Sequence, residues 1–142
     1  MSTSSMAMMA ATMNVPTFVS DAKIGTVISD WQARSPLAAL LMPGENVALA
    51  TLGNDGSALF TATRLLVGEE AGLLTKRLVV KAIRRSAIDA FAIDKENKVT
   101  LALRGAGFGV ATLVFEDENF DPMQLTMWLG QTLDRIQTEE SN

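Results

Sequence analysis

Six short segments between residues 47 and 116 alternate apolar and polar side chains, and turn-forming clusters separate them. Alternation with a period of two predicts strands that bury one face. The six segments are 47–52, 57–67, 76–85, 86–94, 98–104 and 109–116. Because no connection between them is long enough for a crossover helix, the sequence predicts an antiparallel sandwich or barrel and not a parallel α/β fold.

The residues before and after these segments follow a helical period instead. Over 20–34, apolar residues recur three, four and seven positions apart, which predicts a helix, and a short second helix begins at Pro36. Over 121–138, Asp121 caps and Pro122 starts the clearest helix of the chain. Its apolar stripe is formed by Leu125, Trp128, Leu129, Leu133 and Ile136. We expect this stripe to pack on the sheet.

The chain has 142 residues, which is the length of a single domain. We divide it into a flexible or interface-forming arm over 1–14, a helical segment over 15–42, the strands and their following helix over 43–138, and a tail over 139–142. The arm is rich in methionine and has neither a hydrophobic period nor a turn pattern. Methionines of this kind are either adaptable contacts to another chain or a tolerated tail.

The glycine-rich stretch 104–110, RGAGFGV, raises the question of a nucleotide site. A dinucleotide-binding loop has the pattern G-x-G-x-x-G and opens a helix, whose N-terminus holds the phosphates. Gly105 and Gly107 fit that pattern, but Val110 stands at the third glycine position and a strand pattern follows. We therefore predict a tight hairpin loop whose glycines adopt positive φ.

The composition removes several kinds of chemistry. The chain has no cysteine and no histidine, so it has no disulfide, no thiol nucleophile, no thiolate or imidazole metal ligand and no histidine base. We therefore expect no enzyme activity, no cofactor and no metal site. The formal net charge of −4 argues against nucleic-acid binding. No apolar stretch approaches the ~20 residues of a spanning helix, which predicts a cytoplasmic protein.

The basic residues are concentrated in the predicted strand over 76–85. Alternation places five residues on one face of it, namely Arg77, Val79, Lys81, Ile83 and Arg85. One interpretation of this face is a solvated outer surface. The other is a protein-interaction face with an apolar centre and a basic rim that fits an acidic partner, because Val79 and Ile83 make the face less polar than solvent requires.

Four stretches carry a family resemblance through their order and spacing. They are PGENV (43–47), LFTATRLLV (59–67), GLLTKRLVVKAIRRSAI (72–88) and PMQLTMWLGQTL (122–133). Together they resemble the bacterial pleckstrin-homology-like (PH-like) family over the region from about Leu40 to Ile136. The resemblance implies a mainly β fold, a curved antiparallel barrel of six to seven strands with one end plugged by the C-terminal helix.

The same resemblance implies binding or scaffolding rather than catalysis, and association into homo-oligomers. Barrels of this type have seven strands against the six counted here, so either one predicted strand is split or the N-terminal part supplies another. The loop GNDG (53–56) carries no cations, whereas pleckstrin domains that hold phosphoinositide headgroups use basic residues in that loop. We therefore expect other protein chains as partners and do not expect membrane lipid.

Three functional hypotheses follow. The first is a non-catalytic interaction or scaffolding module that self-associates through the barrel edges or through the Arg77–Arg85 face. The second is a structural subunit of a large assembly such as a phage particle, with the arm over 1–14 as a clamp between copies, which would place the protein in a virion rather than the cytoplasm. The third is a carrier of a small ligand or lipid, which requires a sizeable apolar cavity at the barrel mouth.

Overall fold

The computed structural model describes residues 21–130. Three of the sequence predictions fall elsewhere: the arm over 1–14, the end of the last helix at Leu133 and Ile136, and the tail over 139–142 lie outside the described residues. Among the described residues, no helix is long and apolar enough to cross a membrane.

The described residues form eight strands, two helices and two short 3₁₀ turns. The strands are β1 (Asp21–Val27), β2 (Val47–Leu52), β3 (Gly56–Thr61), β4 (Arg64–Ala71), β5 (Arg77–Arg84), β6 (Ala90–Lys95), β7 (Val99–Gly105) and β8 (Gly109–Phe115). Helix α1 is the single turn Trp31–Arg34, and helix α2 is described over 123–130. The 3₁₀ turns lie at Ala38–Leu40 and Arg85–Ala87.

All eight strands belong to one sheet in the order β5-β4-β3-β2-β1-β8-β7-β6. Neighbouring strands are antiparallel except for β1 and β8, which run parallel. The mainly β fold is therefore confirmed. It differs from a closed barrel in that β5 and β6 do not pair with each other, so the sheet of residues 21–130 remains open at these two strands.

Strand β1 replaces most of the helix predicted over 20–34, and only Trp31–Arg34 is α-helical. Ala22 and Ile24 alternate into the core, as a period of two requires. Hydrogen bonding to β8 on one side and to β2 on the other satisfies the backbone of β1, and this tertiary pairing outweighs the local helical spacing. The prediction of a helical segment over 15–42 is therefore wrong at β1.

Gly25 lies where β1 leaves β8 and joins β2. The pairing register with β8 is irregular between Lys23 and Gly25, and Gly25 has a φ of +85°. A Cβ atom at this position would clash with the carbonyl group of Leu52 in β2. Glycine is therefore the residue that lets β1 connect the two halves of the sheet.

The strand predicted over 57–67 is in fact two strands, β3 and β4. The hydroxyl oxygen Oγ1 of Thr61 accepts hydrogen bonds from the backbone N–H groups of Thr63 (3.3 Å) and Arg64 (3.0 Å) and closes the turn between them. That turn contains neither glycine nor proline, so the pattern of turn residues did not reveal it. A split strand and an additional N-terminal strand, the two sources considered for a seventh strand, both occur.

Two predicted turns have different outcomes. The turn predicted at 68–72 is displaced, because β4 continues to Ala71 and the chain reverses over 72–76 instead. The glycine-rich stretch 104–110 is the hairpin between β7 and β8, as predicted. The N–H group of Phe108 donates a hydrogen bond of 3.3 Å to the carbonyl oxygen of Gly105. The positive φ predicted for the glycines of this loop is confirmed at Gly109 (+78°) and is wrong at Gly105 and Gly107.

Helix α2 packs into one end of the bent sheet, as predicted. The carboxylate oxygen Oδ1 of Asp121 accepts a hydrogen bond of 2.9 Å from the N–H group of Met123, so Asp121 caps the helix. The buried side chains of α2 are Leu125, Trp128 and Leu129. Trp128 meets Phe60 of β3 edge-on, with 5.1 Å between ring centroids, and Phe60 lies 6.1 Å from Phe115 of β8.

A second, smaller apolar cluster lies on the outer face of β2, β3 and β4. Its buried members are Leu37, Ala50, Leu59 and Leu66. The segment 28–42 covers this cluster and packs Ile28, Trp31 and Leu41 against it. The cover does not extend over all of the neighbouring strand β5, where Leu78 and Val80 remain exposed.

Candidate interaction surface

Strands β5 and β6 are the two edges of the sheet within residues 21–130. Each is bonded to a neighbour on one side, β5 to β4 and β6 to β7. An edge strand presents a row of backbone N–H and C=O groups that a further strand can pair with. These two edges, eight and six residues long, are therefore the candidate interaction surface.

The face predicted from the basic segment turns inward rather than outward. Ile83 is only 4% exposed and belongs to the core. The Lys81 side chain is 12% exposed, and its Nζ atom lies 3.7 Å from a carboxylate oxygen of Glu69. The reason is the pairing with β4, because Leu65 and Val67, which lie opposite Ile83 and Lys81, are themselves core residues.

The other three residues of that face are separated from one another. Val79 is half-buried, and Arg77 is exposed at the start of β5. Arg85 lies in the 3₁₀ turn, where its guanidinium carbon is 5.8 Å from the centre of the Trp128 ring. The five residues therefore do not form an exposed basic strip, and Arg77 is the member of the set that lies on the surface.

The exposed apolar residues of β5 lie on the opposite face, which sequence reasoning did not select. Leu78 is 43% and Val80 36% exposed, and Val80 lies opposite Gly68 of β4. Leu73 and Leu74 at the tip of the β4–β5 hairpin are fully exposed. Both faces of 76–85 carry Val, Leu or Ile, so alternation alone did not identify which one is buried.

The second edge strand, β6, borders an apolar surface. A shallow depression of about 260 Å³ lies on β6, β7 and the start of β8, and three of its seven lining residues are alanines. Ala90, Ala92 and Ala102 line it together with the partly exposed Phe91 and Val110. Such a surface permits close approach of another backbone.

The PGENV and TATR stretches meet at the β3–β4 turn, where Glu45 and Arg64 form a two-pronged ion pair. The Nε and Nη2 atoms of Arg64 each lie 2.8 Å from a carboxylate oxygen of Glu45. The hydroxyl group of Thr61 and the N–H group of Met42 each donate a further hydrogen bond of 2.9 Å to this carboxylate. These bonds, that of Arg64 foremost, lower the pKa of Glu45 from 4.5 to about 2.

A groove of about 540 Å³ adjoins this ion pair. The loop 42–45 forms one wall, Arg84 and Ser86 form the other, and Thr63 and Arg64 lie between them. Sequence reasoning did not find this groove, because its walls come from three separate parts of the chain that meet only in the fold.

One small void lies inside the bent sheet. Between β1, β4, β5 and β8 a void of about 10 Å³ remains beside Ala22, Ile83 and Leu113. A void of this size holds at most one water molecule. This void is too small to be the sizeable cavity that a carrier of small ligands or lipids requires.

No protein-family model and no curated protein matches the chain. Two solved structures resemble it. A DUF1696 family protein with a pleckstrin-homology domain from Shewanella loihica PV-4 has a TM-score of 0.60 and 19% identity, over 75% of this chain and 95% of that one. A pleckstrin homology domain from Shewanella amazonensis SB2B has a TM-score of 0.52 and 19% identity, over 68% of this chain and 90% of that one.

Both similar structures are pleckstrin-homology domains, and the likeness spans nearly their whole length. Strands β2 to β8 supply the seven strands that the sequence resemblance implied, and α2 packs into one end of the sheet, which is not closed into a barrel. Strand β1 lies between β2 and β8 in the sheet. The chain therefore has the fold of the bacterial pleckstrin-homology-like domains.

Proposed function

We propose that this protein is a non-catalytic interaction module that self-associates, with the β5 edge of one copy pairing with the β6 edge of the next. The observation that carries the proposal is the open sheet, whose two edge strands have free sides within residues 21–130 and exposed apolar side chains beside them. Leu78 and Val80 accompany one edge, and the alanine-rich depression accompanies the other.

The two edges differ, and this favours a head-to-tail contact. Strand β5 presents the branched aliphatic side chains of Leu78 and Val80, while β6 presents the small side chains of Ala90 and Ala92. Large side chains on one edge can pack closely over small side chains on the other. A contact between unlike edges leaves one free edge at each end of the pair, so it continues into a ring or a filament rather than stopping at a dimer.

A second observation supports a non-catalytic role. Glu45 is the described carboxyl group with a markedly shifted pKa, and the shift is downward, to about 2. A general acid or base needs a pKa near the working pH. The ion pair with Arg64 therefore suits Glu45 to holding the loop 42–45 in place and not to moving protons.

Light scattering of the full chain over a range of concentrations tests the proposal, with Val80→Lys as the blocking variant. A lysine on the outer face of an edge strand opposes pairing with a further strand. The expected result is a defined oligomer for the wild type and a smaller mass for Val80→Lys. Met127→Lys, which adds the same charge at an exposed position of α2, is the matched control and should keep the wild-type mass.

The assembly-subunit hypothesis is tested in the same experiment by a chain that starts at Val15. If the residues before Val15 hold neighbouring copies together, the shortened chain will have a smaller mass than the wild type, as Val80→Lys should. If edge pairing alone holds the copies together, the shortened chain will keep the full mass. A wild type that is monomeric at every concentration would contradict self-association in either form.

A further inference from the structure

We propose that the groove between the loop 42–45 and the turn at Arg84 and Ser86 binds a single anionic group, a phosphate or a carboxylate. The groove is concave, has a volume of about 540 Å³, and brings together two arginines and two hydroxyl side chains. The proposal is independent of the self-association proposed above, because it does not use the free side of either edge strand.

The first argument concerns charge. Arg64 and Arg84 lie directly opposite each other on β4 and β5, and like charges in that position destabilise a sheet. Glu45 neutralises Arg64 through its two-pronged ion pair. Arg84 is exposed and forms no ion pair with any residue between 21 and 130. An anion in the groove would offset the remaining positive charge.

The second argument concerns hydrogen-bond donors. Glu45 and the carbonyl oxygen of Leu40 engage Nε and Nη2 of Arg64, which holds the guanidinium in one orientation. The Nη1 group of Arg64 has no partner among the described residues, so a fixed donor remains. Arg84 supplies a second guanidinium, and Thr63 and Ser86 supply hydroxyl groups along the same groove. Guanidinium groups and hydroxyls together are well suited to phosphate and carboxylate oxygens.

The third argument limits the charge of the ligand. Two arginines and one glutamate leave a single net positive charge on the described lining of the groove. The Glu45 carboxylate also repels a ligand that carries several negative groups. The groove therefore suits one phosphate or carboxylate group rather than a multiply phosphorylated molecule.

Titrations of the full-length protein with inorganic phosphate and with acetate test the proposal, with thermal unfolding and calorimetry as the readouts. Sodium chloride at equal ionic strength is the blank. We expect phosphate, acetate or both to raise the melting temperature saturably beyond the blank. Preference for phosphate identifies a phosphate ligand, and preference for acetate identifies a carboxylate ligand. No saturable effect of either probe overturns the proposal.

Arg84→Gln provides a second, distinctive readout. Without added anion this variant should melt at a higher temperature than the wild type, because the repulsion of Arg64 is removed. Its affinity for the effective probe should fall by about tenfold or more, because a charged donor is lost. Arg104→Gln, the same change at an exposed position of β7, is the control and should retain the wild-type affinity. Equal weakening in both variants would show only a response to net charge and would overturn the proposal.

Discussion

The indole Nε1 atom of Trp128 donates a hydrogen bond of 2.7 Å to the backbone carbonyl oxygen of Thr61, which fastens α2 to the end of β3. The same ring meets Phe60 edge-on and lies under the guanidinium group of Arg85. One side chain therefore connects the helix, the β3–β4 turn and the turn after β5. Together with the buried side chains of Leu125 and Leu129, this connection holds the helix against the sheet.

Trp128→Phe keeps an aromatic ring in the core and removes the donor. The Thr61 carbonyl oxygen then loses a buried partner, and we expect the free energy of unfolding to fall by about 1–3 kcal/mol. Urea denaturation followed by circular dichroism measures the change. Trp31→Phe, in a partly buried position where the indole has no hydrogen-bond partner among residues 21–130, should cost clearly less. Equal losses in the two variants would contradict the role given to the hydrogen bond.

At Thr51, in contrast, we expect the removal of a buried polar group to stabilise the protein. Its Oγ1 atom is fully buried, and among the described residues it is the buried side-chain N or O atom that lacks a hydrogen-bond partner. Thr51→Val replaces the hydroxyl by a methyl group of similar size, and we expect a gain of about 1 kcal/mol in the free energy of unfolding. Thr61→Val is the matched control, and it should lose about 2 kcal/mol, because the Thr61 hydroxyl bonds Glu45 and the turn. A destabilised Thr51→Val protein would contradict this account.

The lowered pKa of Glu45 makes the stability dependent on acid. Because the folded pKa is about 2 and the ordinary value is 4.5, the contribution of Glu45 is fully present above pH 4.5 and disappears as the pH falls toward 2. In Glu45→Gln, the difference in unfolding free energy between pH 6 and pH 2.5 should shrink by about 1–3 kcal/mol. Chemical denaturation at both pH values measures it, and an unchanged difference would mean that Glu45 is not held as described.

Glycine is required at position 25 because the backbone of β1 lies directly against the backbone of β2 there. Gly25→Ala would force a Cβ atom against the Leu52 carbonyl group and oppose a φ of +85°. We expect a loss of about 3 kcal/mol or more, or failure to fold. Gly107→Ala is the control, because nothing lies within 4 Å of the Cβ atom that it would add. A Gly25→Ala protein as stable as the Gly107→Ala protein would contradict the pairing of β1 with β2.

The sequence predicted the elements whose signals are local. Asp121 and Pro122 marked the start of α2, and the glycines of 104–110 marked the β7–β8 hairpin. Strand β1 was missed because its partner β8 lies some ninety residues further along the chain and its own apolar spacing is helical. The β3–β4 turn was missed because a threonine hydroxyl, rather than glycine or proline, closes it.

The candidate surface was predicted only in part. From the sequence, 76–85 was predicted to be a strand whose Arg77–Arg85 face is either solvated or an interaction face, but the structure buries Ile83 of that face in the core. Which face of β5 is buried depends on Leu65 and Val67 in the neighbouring strand β4, and both residues lie outside the segment 76–85. The anion groove was beyond sequence reasoning, since it requires Glu45, Arg64 and Arg84 to meet.

The most direct test of head-to-tail edge pairing is the mass of an equimolar mixture of Val80→Lys and Ala92→Lys proteins, measured by light scattering. Each variant has one blocked edge, so each should be monomeric alone. Mixed, they retain one pair of compatible edges between them, and the expected product is a heterodimer that grows no further. A mixture that stays monomeric, or an Ala92→Lys protein that forms a dimer by itself, would contradict the pairing of β5 with β6.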